Sequence, residues 1–360
     1  MKCIFISTYY GSYPGNFVPS MIAFDKKMKS EGNSIVYIFP KETKVFGWMT
    51  DFKNQNNQIY FLDYRPYSLN NFFAFRKIFK KEKIDLIYSH FCGWDFTARF
   101  AAPFKPIIWH MHMNVNVHNK IKRIKNWVKF RVLGFAKTYH IAVSQPVTDA
   151  INSLNPHNKC VTIPNCLDLS RLSPCSTKNF DQRNNNILIF GWEPTVKGLD
   201  ITLDACEKLA NEGKKFNLLV SSQEKTHKYI AERYKNIPEW LQPLEPTGNV
   251  AELYNKADIM LSASRTEGFS YALGEAIYSG LVTVVSDISP NSWSREFKAR
   301  FEFKSEDVDS LLIALKQALK YTPSTNDISY NKKLFEQKYS LKTWTDSIHN
   351  FLSSVYNNKI

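Results

Sequence analysis

Two distant segments of the chain carry the same pattern, and this repeat restricts the possible folds more than any other feature. The segments are residues 2–39 and 186–222. Each has an apolar run, a loop, a helical stretch that ends at a glycine (Gly32 or Gly213), and a second apolar run. A glycine that closes a helix between two apolar runs predicts a β-α-β unit with a right-handed crossover. The repeat therefore predicts two α/β domains that open in the same way.

Further short apolar runs follow each of these openings. They are continuous rather than alternating, as expected for parallel strands that are buried on both faces of a sheet. The runs are IDLIYSHF, PIIWHMH, YHIAVS and CVTIPN in the first half, and LQPLEP, ADIMLSA, VTVVSD and RFEFK in the second. Helical patterns separate most of them. The sequence therefore predicts two doubly wound, Rossmann-like domains whose ligands bind beyond the carboxyl ends of the strands.

The predicted domains are residues 1–170 and 186–341, joined by a polar, turn-rich linker over residues 170–186. The terminal segment 342–360 is amphipathic. Its apolar residues at helical spacing are Trp344, Ile348, Phe351 and Val355. We expect this helix to pack back on the first domain, and we expect the two domains to face each other across a cleft that holds the ligand.

Basic residues exceed acidic ones, with 47 Lys and Arg against 33 Asp and Glu and a formal net charge of +14. This balance predicts an anionic partner: nucleic acid, an anionic membrane surface or a phosphate-bearing substrate. The six cysteines include no C-x-x-C pair, the first residues turn polar after Ile6, and no run of 18 apolar residues occurs. We therefore expect a cytosolic protein with reduced cysteines, no secretory segment and no membrane span.

The segment SRTEGFSYALGEAIYSG, residues 264–280, follows a predicted strand and has seven residues between Glu267 and Glu275. We expect a helix to start near Phe269 or Ser270, so that the N–H groups at its start bind an anion such as a diphosphate. These groups belong to Gly268, Phe269, Ser270 and Tyr271. Glu275 lies about 12 Å beyond Glu267 if the interval is helical. Carboxylates accept paired hydrogen bonds from the hydroxyls of a sugar or a ribose. Alternatively, Glu267 stabilises the helix dipole and Glu275 is solvated.

This segment resembles the E-x(7)-E motif of retaining GT-B glycosyltransferases, the group that includes family 4. The matching residues are Glu267-Gly268-Phe269, Glu275-Ala276, Gly280 and Val284-Val285-Ser286-Asp287. Four further segments are similar to the family and occur in the expected order along the chain: IAVSQPVTDAI, VTIPNCLDLSRL, FGWEPTVKGLDITLDA and NVAELYNKADIMLSAS. The resemblance covers most of residues 139–305. It implies the GT-B fold and a reaction that uses a nucleotide-diphosphate sugar.

The resemblance also implies roles for individual residues. In the family, the second glutamate of the motif holds the ribose, which here is Glu275. The first glutamate, here Glu267, holds the sugar together with the backbone of Gly268 and Phe269. A lysine in the turn after the first strand of the second domain, here Lys197, contacts the diphosphate.

Arg265 lies in the loop after the predicted strand and is a candidate second cation for the diphosphate. Three other positions follow from the resemblance. Gly15 lies where the family brings glycines close to the donor. His112, rather than His110, matches a histidine that contacts the donor sugar; the alternative is that one of this pair is a packed core residue. Trp192 stands where many members carry an arginine that pairs with the lysine on the phosphates.

The sequence gives no sign of a resident metal or cofactor. It contains no H-x-x-x-H with a nearby carboxylate and no D-x-D at a strand end. It also lacks a Walker A loop and a G-x-G-x-x-G fingerprint, which argues against kinases, ATPases and dehydrogenases. In a metal-free site, cationic side chains and helix N–H groups must stabilise the leaving diphosphate. We therefore expect a nucleotide-diphosphate sugar as the co-substrate and no other cofactor.

Positive charge is concentrated in residues 117–140, which contain seven Lys or Arg and no Asp or Glu. Apolar residues recur there at helical spacing, and such a basic amphipathic helix is typical of proteins that bind anionic membrane surfaces. The residues expected to contact the membrane or an acceptor on it are Lys120, Lys122, Arg123, Lys125 and Trp127. The alternative is an ordinary helix whose apolar stripe faces the core. Nucleic-acid binding is not expected, because no nucleic-acid-binding motif is recognised.

The leading hypothesis is a retaining, metal-independent glycosyltransferase that transfers a hexose to a hydroxyl of a lipid-linked or polysaccharide acceptor. It would act in the cytoplasm, at the inner face of the membrane. Two rivals remain: a nucleotide-sugar epimerase or hydrolase of the same fold, and a non-catalytic protein that binds sugar nucleotide or glycan for an active partner.

Overall fold

The structure is a computed structural model and describes residues 1–91, 93–112, 120–133, 137–155, 159–172 and 183–359. The chain divides into two compact units: Met1–Cys166 with Leu341–Ile360, and Leu167–Ser340. Residues 173–182 of the predicted linker lie outside the described part of the chain. No helix among the described residues combines the length and the apolar character that a membrane span requires.

The first unit is built on a parallel sheet of seven strands in the order β3-β2-β1-β4-β5-β6-β7. The strands are β1 (Lys2–Ser7), β2 (Ser34–Pro40), β3 (Gln58–Leu62), β4 (Leu86–His90), β5 (Ile107–Met111), β6 (Thr138–Ala142) and β7 (Lys159–Thr162). The helices are α1 (Phe17–Ser30), α2 (Met49–Asn54), α3 (Leu69–Glu82), α4 (Asp95–Ala101), α5 (Lys120–Trp127) and α6 (Gln145–Leu154). A π-helical stretch, Val128–Leu133, continues α5.

The second unit repeats this plan with a parallel sheet of six strands in the order β10-β9-β8-β11-β12-β13. The strands are β8 (Asn186–Phe190), β9 (Asn217–Ser221), β10 (Leu241–Leu244), β11 (Ile259–Ser262), β12 (Val282–Ser286) and β13 (Arg300–Phe303). The helices are α7 (Leu199–Asn211), α8 (Glu224–Arg233), α9 (Val250–Lys256), α10 (Tyr271–Tyr278), α11 (Val308–Lys320) and α12 (Thr325–Tyr339). The last helix, α13 (Leu341–Tyr356), belongs to the first unit.

Each sheet is covered on both faces, because successive side chains of a strand point to opposite sides. In β1, Cys3 and Phe5 belong to a core cluster with α1 and α13, whereas Ile4 and Ile6 belong to a second cluster with α3, α4 and α6. The second sheet is likewise covered by one cluster with α7 and α11 and by another with α9 and α10. This two-sided burial explains the continuous apolar runs in the sequence.

The prediction of two doubly wound α/β domains is confirmed. Both glycines that close the repeated helices have left-handed backbone, with φ +70° at Gly32 and +72° at Gly213. One strand, β3, was missed by the sequence analysis. It lies at the edge of its sheet and begins with a glutamine, and its other side chains are half-buried, so its sequence lacks the fully buried apolar run of the inner strands.

Candidate functional site

The sheet of the second unit has a switch point at β8, which pairs with β9 on one side and with β11 on the other. In open α/β sheets, ligands bind beyond the carboxyl ends of the strands at such a point. The loop after β8 carries Lys197 and the loop after β11 carries Glu267, and because the two strands are neighbours, their loops meet. The structure thus brings together two of the residues that the sequence singled out.

Lys197 and Glu267 form an ion pair, with the lysine Nζ 2.6 Å from Glu267 Oε1. The same carboxylate oxygen accepts a hydrogen bond of 2.8 Å from Ser264 Oγ. The Ser264 carbonyl in turn accepts a hydrogen bond from Ser286 Oγ, at the end of β12. Both side chains of the ion pair are largely buried, at 16% and 12% exposure, so this pair is held more firmly than a pair in open solvent.

Trp192 contributes to the position of Lys197. The ammonium group lies 4.7 Å from the centroid of the Trp192 ring, a distance at which the ring quadrupole attracts a cation. In the sequence alone, Trp192 is only a departure from the family pattern. In the structure this indole and the Glu267 carboxylate both contact the lysine head group, which restricts where it can point.

Gly198 allows the two loops to approach each other. Its φ of +69° is left-handed, and a Cβ at this position would lie 2.2 Å from the carbonyl oxygen of Ala263, directly after β11. The adjacent loops are also joined by a hydrogen bond of 2.9 Å from the Arg265 backbone N–H to the Val196 carbonyl. Only glycine has both the conformational freedom and the small size that this contact requires.

Arg265, the candidate second cation, is engaged by carboxylates. Its terminal nitrogens donate bidentate hydrogen bonds of 2.8 Å to both oxygens of Asp200, in the first turn of α7. Its Nε donates a hydrogen bond of 2.9 Å to Glu306. Arg265 therefore links the loop after β11 to the start of α7. A contact between Arg265 and a diphosphate would require its ion pairs with Asp200 and Glu306 to open or to be shared with the phosphate.

Helix α10 begins at Tyr271, with Ser270 as its N-cap: the Ser270 hydroxyl accepts a hydrogen bond from the Leu273 N–H. The interval between the two motif glutamates is therefore loop up to Ser270 and helix only from Tyr271, so the 12 Å estimate for an all-helical interval does not apply. Gly268 and Phe269 lie in the loop that leads into this helix. The Phe269 ring stacks on Trp293 at 4.7 Å, so its side chain is held by an aromatic contact.

Glu275 is buried in α10 at 7% exposure, so the alternative of a solvated glutamate is wrong. Its Oε2 accepts a hydrogen bond of 2.7 Å from the Tyr254 hydroxyl of α9. A buried carboxylate needs hydrogen-bond donors to offset the loss of hydration. Tyr254 is a partner that the sequence analysis missed, because no local pattern links a tyrosine of α9 to a glutamate of α10.

In the first unit, the structure places His112 directly after β5 and next to two other histidines. His112 Nε2 is 2.8 Å from Nδ1 of His90, the last residue of β4. His110 Nδ1 is 2.7 Å from the hydroxyl of Tyr88. Burial lowers the pKa of His112 to about 3. Burial and the neighbouring imidazoles also lower the pKa of His90 and His110 well below the usual value, so all three rings are neutral at physiological pH.

The loop between β1 and α1 contains Gly15, with φ +53°. Its neighbour in this loop is Tyr9, whose hydroxyl donates a hydrogen bond to the Tyr13 carbonyl. A Cβ on Gly11 would lie 2.7 Å from that hydroxyl. The sequence has one glycine at the expected position, Gly15, and the structure places a second one, Gly11, against the end of the Tyr9 side chain in the same loop.

Helix α5 presents apolar side chains to solvent. Ile121 is 68% exposed, Ile124 is 62% exposed and Trp127 is 44% exposed. Together with Lys120 and Arg123, Ile124 and Trp127 line a shallow surface depression. The alternative that the apolar stripe of this segment faces the core is therefore wrong for α5, although it holds for Phe130 in the π-helical stretch, which is buried.

Some expected members of the basic segment cannot be placed. Residues 117–119 and 134–136 lie outside the described part of the chain, as does the side chain of Lys122. Lys125 lies in the last turn of α5 and is exposed. The described helix therefore combines exposed basic and exposed apolar side chains on one short element.

Comparison with protein families gives two matches. Residues 184–321 match the model described as "Glycosyl transferases group 1", and residues 50–171 match the model described as "Glycosyltransferase Family 4". The first match contains the β8 and β11 loops with Lys197 and Glu267, and the second contains His112. The first match lies within the second unit, and the second match covers the first unit from residue 50 and runs five residues past its boundary at Cys166.

Individual relatives support the same assignment. The capsular polysaccharide biosynthesis glycosyltransferase CapH of Staphylococcus aureus is 25% identical over 79% of this chain and 84% of its own length. GDP-mannose:cellobiosyl-diphosphopolyprenol alpha-mannosyltransferase of Xanthomonas campestris is 24% identical over 57% of each chain. Among solved structures, Anabaena HepE in complex with UDP has a TM-score of 0.78 at 18% identity, over 98% of this chain and 100% of HepE.

A second structure of HepE, in complex with UDP-glucose, has a TM-score of 0.77 at 16% identity and the same coverage. At this identity, the structural likeness shows the fold. The family models and the curated relatives add the class of reaction. This chain is therefore a glycosyltransferase of GT-B fold whose two halves match the family 4 and group 1 glycosyltransferase models.

Proposed function

We propose that this glycosyltransferase moves a hexose from a nucleotide-diphosphate sugar to a hydroxyl of a lipid-linked or cell-surface polysaccharide acceptor. The observation that carries the proposal is the Lys197–Glu267 pair at the switch point of the second sheet, directly before the start of α10. The names of the relatives are consistent with it: CapH is named for capsular polysaccharide, the Xanthomonas enzyme for GDP-mannose and a diphosphopolyprenol acceptor, and HepE was solved with UDP-glucose.

The nucleotide end of the donor is assigned to Glu275. Its carboxylate has several lone pairs, and the Tyr254 hydroxyl uses one of those on Oε2. A ribose presents two adjacent hydroxyls, which suit a carboxylate that is already fixed in orientation. Burial strengthens such hydrogen bonds because water competes less for the acceptor.

The diphosphate is assigned to Lys197 and to the N–H groups at the start of α10. A lysine ammonium has three donors, so Lys197 can hold Glu267 and a phosphate oxygen together. The first N–H groups of a helix have no intrahelical acceptor and favour an anion. In this proposal the diphosphate needs no divalent cation, because these groups supply the positive charge.

The sugar is assigned to Glu267 and to the backbone of Gly268 and Phe269. The transfer breaks the bond between the anomeric carbon and the phosphate oxygen and forms a bond from the acceptor hydroxyl oxygen to the same carbon. The hydroxyl proton passes to an oxygen of the leaving diphosphate. Attack from the face that the diphosphate leaves retains the anomeric configuration. The predicted roles of His112 and Gly15 toward the sugar stay predictions.

Membrane docking through α5 is the second part of the proposal. Exposed Ile121, Ile124 and Trp127 would enter the lipid interface while Lys120 and Arg123 contact anionic head groups. Each basic residue near an anionic leaflet contributes about 1 kcal/mol. This arrangement would bring the enzyme to a lipid-linked acceptor at the cytoplasmic face of the membrane.

The first test is a thermal-shift panel with UDP-, GDP-, ADP- and dTDP-sugars, followed by turnover with extracted membrane lipids. We expect Glu275→Ala to weaken nucleotide binding itself and Glu267→Ala to reduce turnover more than nucleotide affinity. Glu245→Ala, at a side chain that is 84% exposed in the same unit, is the matched control. If no nucleotide sugar stabilises the protein, the proposed donor site is wrong. If Glu267→Ala instead weakens nucleotide binding and Glu275→Ala mainly reduces turnover, the roles of the two glutamates are exchanged.

The acceptor and the stereochemistry have their own readouts. NMR of the product gives the anomeric configuration, and inversion would contradict the retaining mechanism. Loss of turnover in EDTA that Mg²⁺ or Mn²⁺ restores would contradict metal-independent handling of the diphosphate. Donor consumption without any acceptor would favour the epimerase or hydrolase, and tight donor binding without turnover would favour the non-catalytic protein.

Docking is tested by pelleting with vesicles that contain an anionic phospholipid. Charge reversal at Lys120, Arg123 and Lys125 should abolish pelleting, whereas reversal at Lys225 and Lys228, exposed lysines of α8, should not. Equal pelleting of both variants would show that α5 is not the docking element.

A further inference from the structure

The two oxygens of the Glu267 carboxylate have different surroundings. Oε1 lies 2.6 Å from Lys197 Nζ and accepts a hydrogen bond of 2.8 Å from Ser264 Oγ. Among the described residues, none donates a hydrogen bond to Oε2. A carboxylate has about four lone-pair sites, so the two contacts on Oε1 fix the orientation of the group and leave the lone pairs of Oε2 available. Oε2 is therefore the atom of this side chain that can accept a hydrogen bond from a ligand.

A chain of buried polar groups holds Ser264 in place. Its carbonyl accepts a hydrogen bond of 2.8 Å from Ser286 Oγ. Asn291 Nδ2 lies 3.4 Å from both the hydroxyl and the carbonyl oxygen of Ser286, and the Asn291 carbonyl accepts a hydrogen bond of 2.7 Å from Ser294 Oγ. Ser264 is 3% exposed and the other three residues are fully buried. Water competes little for such hydrogen bonds, so the backbone that carries the Ser264 hydroxyl has little freedom to move.

Strand pairing brings these groups together. Because β11 and β12 are parallel neighbours, their carboxyl ends meet at the same edge of the sheet. Ser264 follows β11 by two residues, and Ser286 is the last residue of β12. Asn291 belongs to the 3-10 helical segment Ser289–Glu296 that follows β12. The sequence around Glu267 does not indicate this support, because Ser264 and Ser286 are 22 residues apart in the chain.

Lys197 by itself would not select one oxygen of the carboxylate. Its ammonium group is a point charge on a flexible stem, and in the proposed function it also contacts the diphosphate. A serine hydroxyl has a single donor proton on a short side chain, and here that side chain is buried. The Ser264 hydrogen bond therefore determines which oxygen of Glu267 is held by the protein.

We propose that Ser264 is a positioning residue for the donor sugar: it holds Glu267 Oε1, so that Oε2 accepts a hydroxyl of the transferred sugar. This inference rests on the proposed function, in which Glu267 binds the sugar. Because a carboxylate oxygen offers only lone pairs, its partner must be a hydrogen-bond donor. The site therefore selects a sugar with a neutral hydroxyl at this position. It disfavours a sugar with a carboxylate there, because two like charges repel.

The first test is Ser264→Ala in the full chain, which removes the hydroxyl and little else. We expect kcat for sugar transfer to fall about tenfold, the scale of one hydrogen bond to a charged group, while the Kd of the nucleoside diphosphate without sugar changes less than about twofold. Ser279→Ala is the matched control and should behave as the wild type, because Ser279 is 1% exposed and lies at the opposite end of α10. Urea denaturation shows that each variant is folded. If Ser264→Ala does not fold, Ser286→Ala replaces it and should give the same pattern with a smaller loss.

Donors that lack one hydroxyl identify the atom that Glu267 contacts. The monodeoxy forms are made of the donor with the highest turnover among UDP-glucose, GDP-mannose, ADP-glucose and dTDP-glucose. At one sugar position, loss of the hydroxyl should lower kcat/KM of the wild type about tenfold and that of Ser264→Ala less than about threefold, because both changes weaken the same interaction.

Two kinds of failure are distinguishable. Equal losses in both enzymes at every sugar position, or an unchanged kcat for Ser264→Ala, would overturn the role of Ser264 while the proposed function stands. A wild type that neither binds nor turns over any nucleotide sugar would contradict the proposed function, and the role of Ser264 would fail with it.

Discussion

Gly198→Ala tests the close contact on which the second-unit site is built. A methyl group at this position would lie 2.2 Å from the Ala263 carbonyl oxygen, whereas ordinary contact begins at 3.4 Å. The loop after β8 would therefore have to move by about 1.2 Å (3.4 Å minus 2.2 Å) away from β11. Gly213→Ala is a control with nearly the same backbone, φ +72° against +69°, but with no atom within 4 Å of the added methyl.

Three contributions determine how much Gly198→Ala changes the free energy of unfolding. Left-handed backbone costs a non-glycine residue roughly 1–2 kcal/mol, and replacing glycine by alanine recovers about 0.4–1 kcal/mol by restricting the unfolded chain. Both contributions are shared by Gly198→Ala and Gly213→Ala and cancel in the comparison. The remaining contribution is overpacking, typically about 1–3 kcal/mol, so we expect Gly198→Ala to be less stable than Gly213→Ala by that amount.

The assay is urea denaturation followed by tryptophan fluorescence, with both variants compared on the transition of the second unit. We also expect Gly198→Ala to weaken binding of a nucleotide sugar several-fold, because the displaced loop separates Lys197 from Glu267. Gly213→Ala, at the far end of α7, should bind as the wild type does. If the two variants have the same stability within about 0.5 kcal/mol, the resolution expected for comparing separate sites, then the loop has room for a methyl group and the reasoning is refuted.

Three further predictions concern side-chain partners. Tyr254→Phe removes the hydrogen bond to Glu275 and should weaken nucleotide binding by a factor of about 3–10, equivalent to roughly 0.5–1.5 kcal/mol, as measured by calorimetry; unchanged affinity would contradict the role of Tyr254. Trp192→Ala removes the ring beside Lys197 and should lower donor affinity about two- to fivefold, since an exposed cation–π contact contributes about 0.5–1 kcal/mol, with no change in global stability. Burial lowers the pKa of His140 from 6.5 to about 3. The contribution of the neutral His140 ring to the free energy of unfolding is therefore complete above pH 6.5. It is lost as the pH falls toward 3, by up to roughly 1.4 kcal/mol per pH unit. His140→Phe should therefore lose less stability than the wild type between pH 6.5 and 4 in urea titrations, and an unchanged slope would show that His140 accepts a proton in the folded state.

Part of the site could be predicted from the sequence because its residues sit at fixed positions in local elements. Strand ends precede both loops of the candidate site, and Ser270 is the N-cap at the place where the sequence predicts a helix start. A serine before an apolar run is a local signal, since its hydroxyl pairs with an N–H three residues later. Glu267 was identified by its place after a predicted strand, whereas Lys197 was identified by the family resemblance.

Other features could not be predicted because they depend on contacts between distant segments. Arg265 remains a candidate phosphate ligand, but only the structure shows that Asp200 lies against its guanidinium. Trp192 was counted as the loss of a cation, yet its ring lies beside the Lys197 head group. Likewise, nothing in the sequence near Glu275 indicates that a tyrosine of another helix reaches it.

By itself, the sequence determined that the chain folds as two parallel α/β units and where along it the loops of the candidate site occur. These features follow from hydrophobic periodicity and from glycine and capping positions, which act over a few residues at a time. Only the tertiary structure decided which of those loops are neighbours. The order of strands in each sheet pairs Lys197 with Glu267 across β8 and β11, and places His90 of β4 beside His110 of β5. Strand order is set by the packing of the whole unit, and local sequence patterns do not encode it.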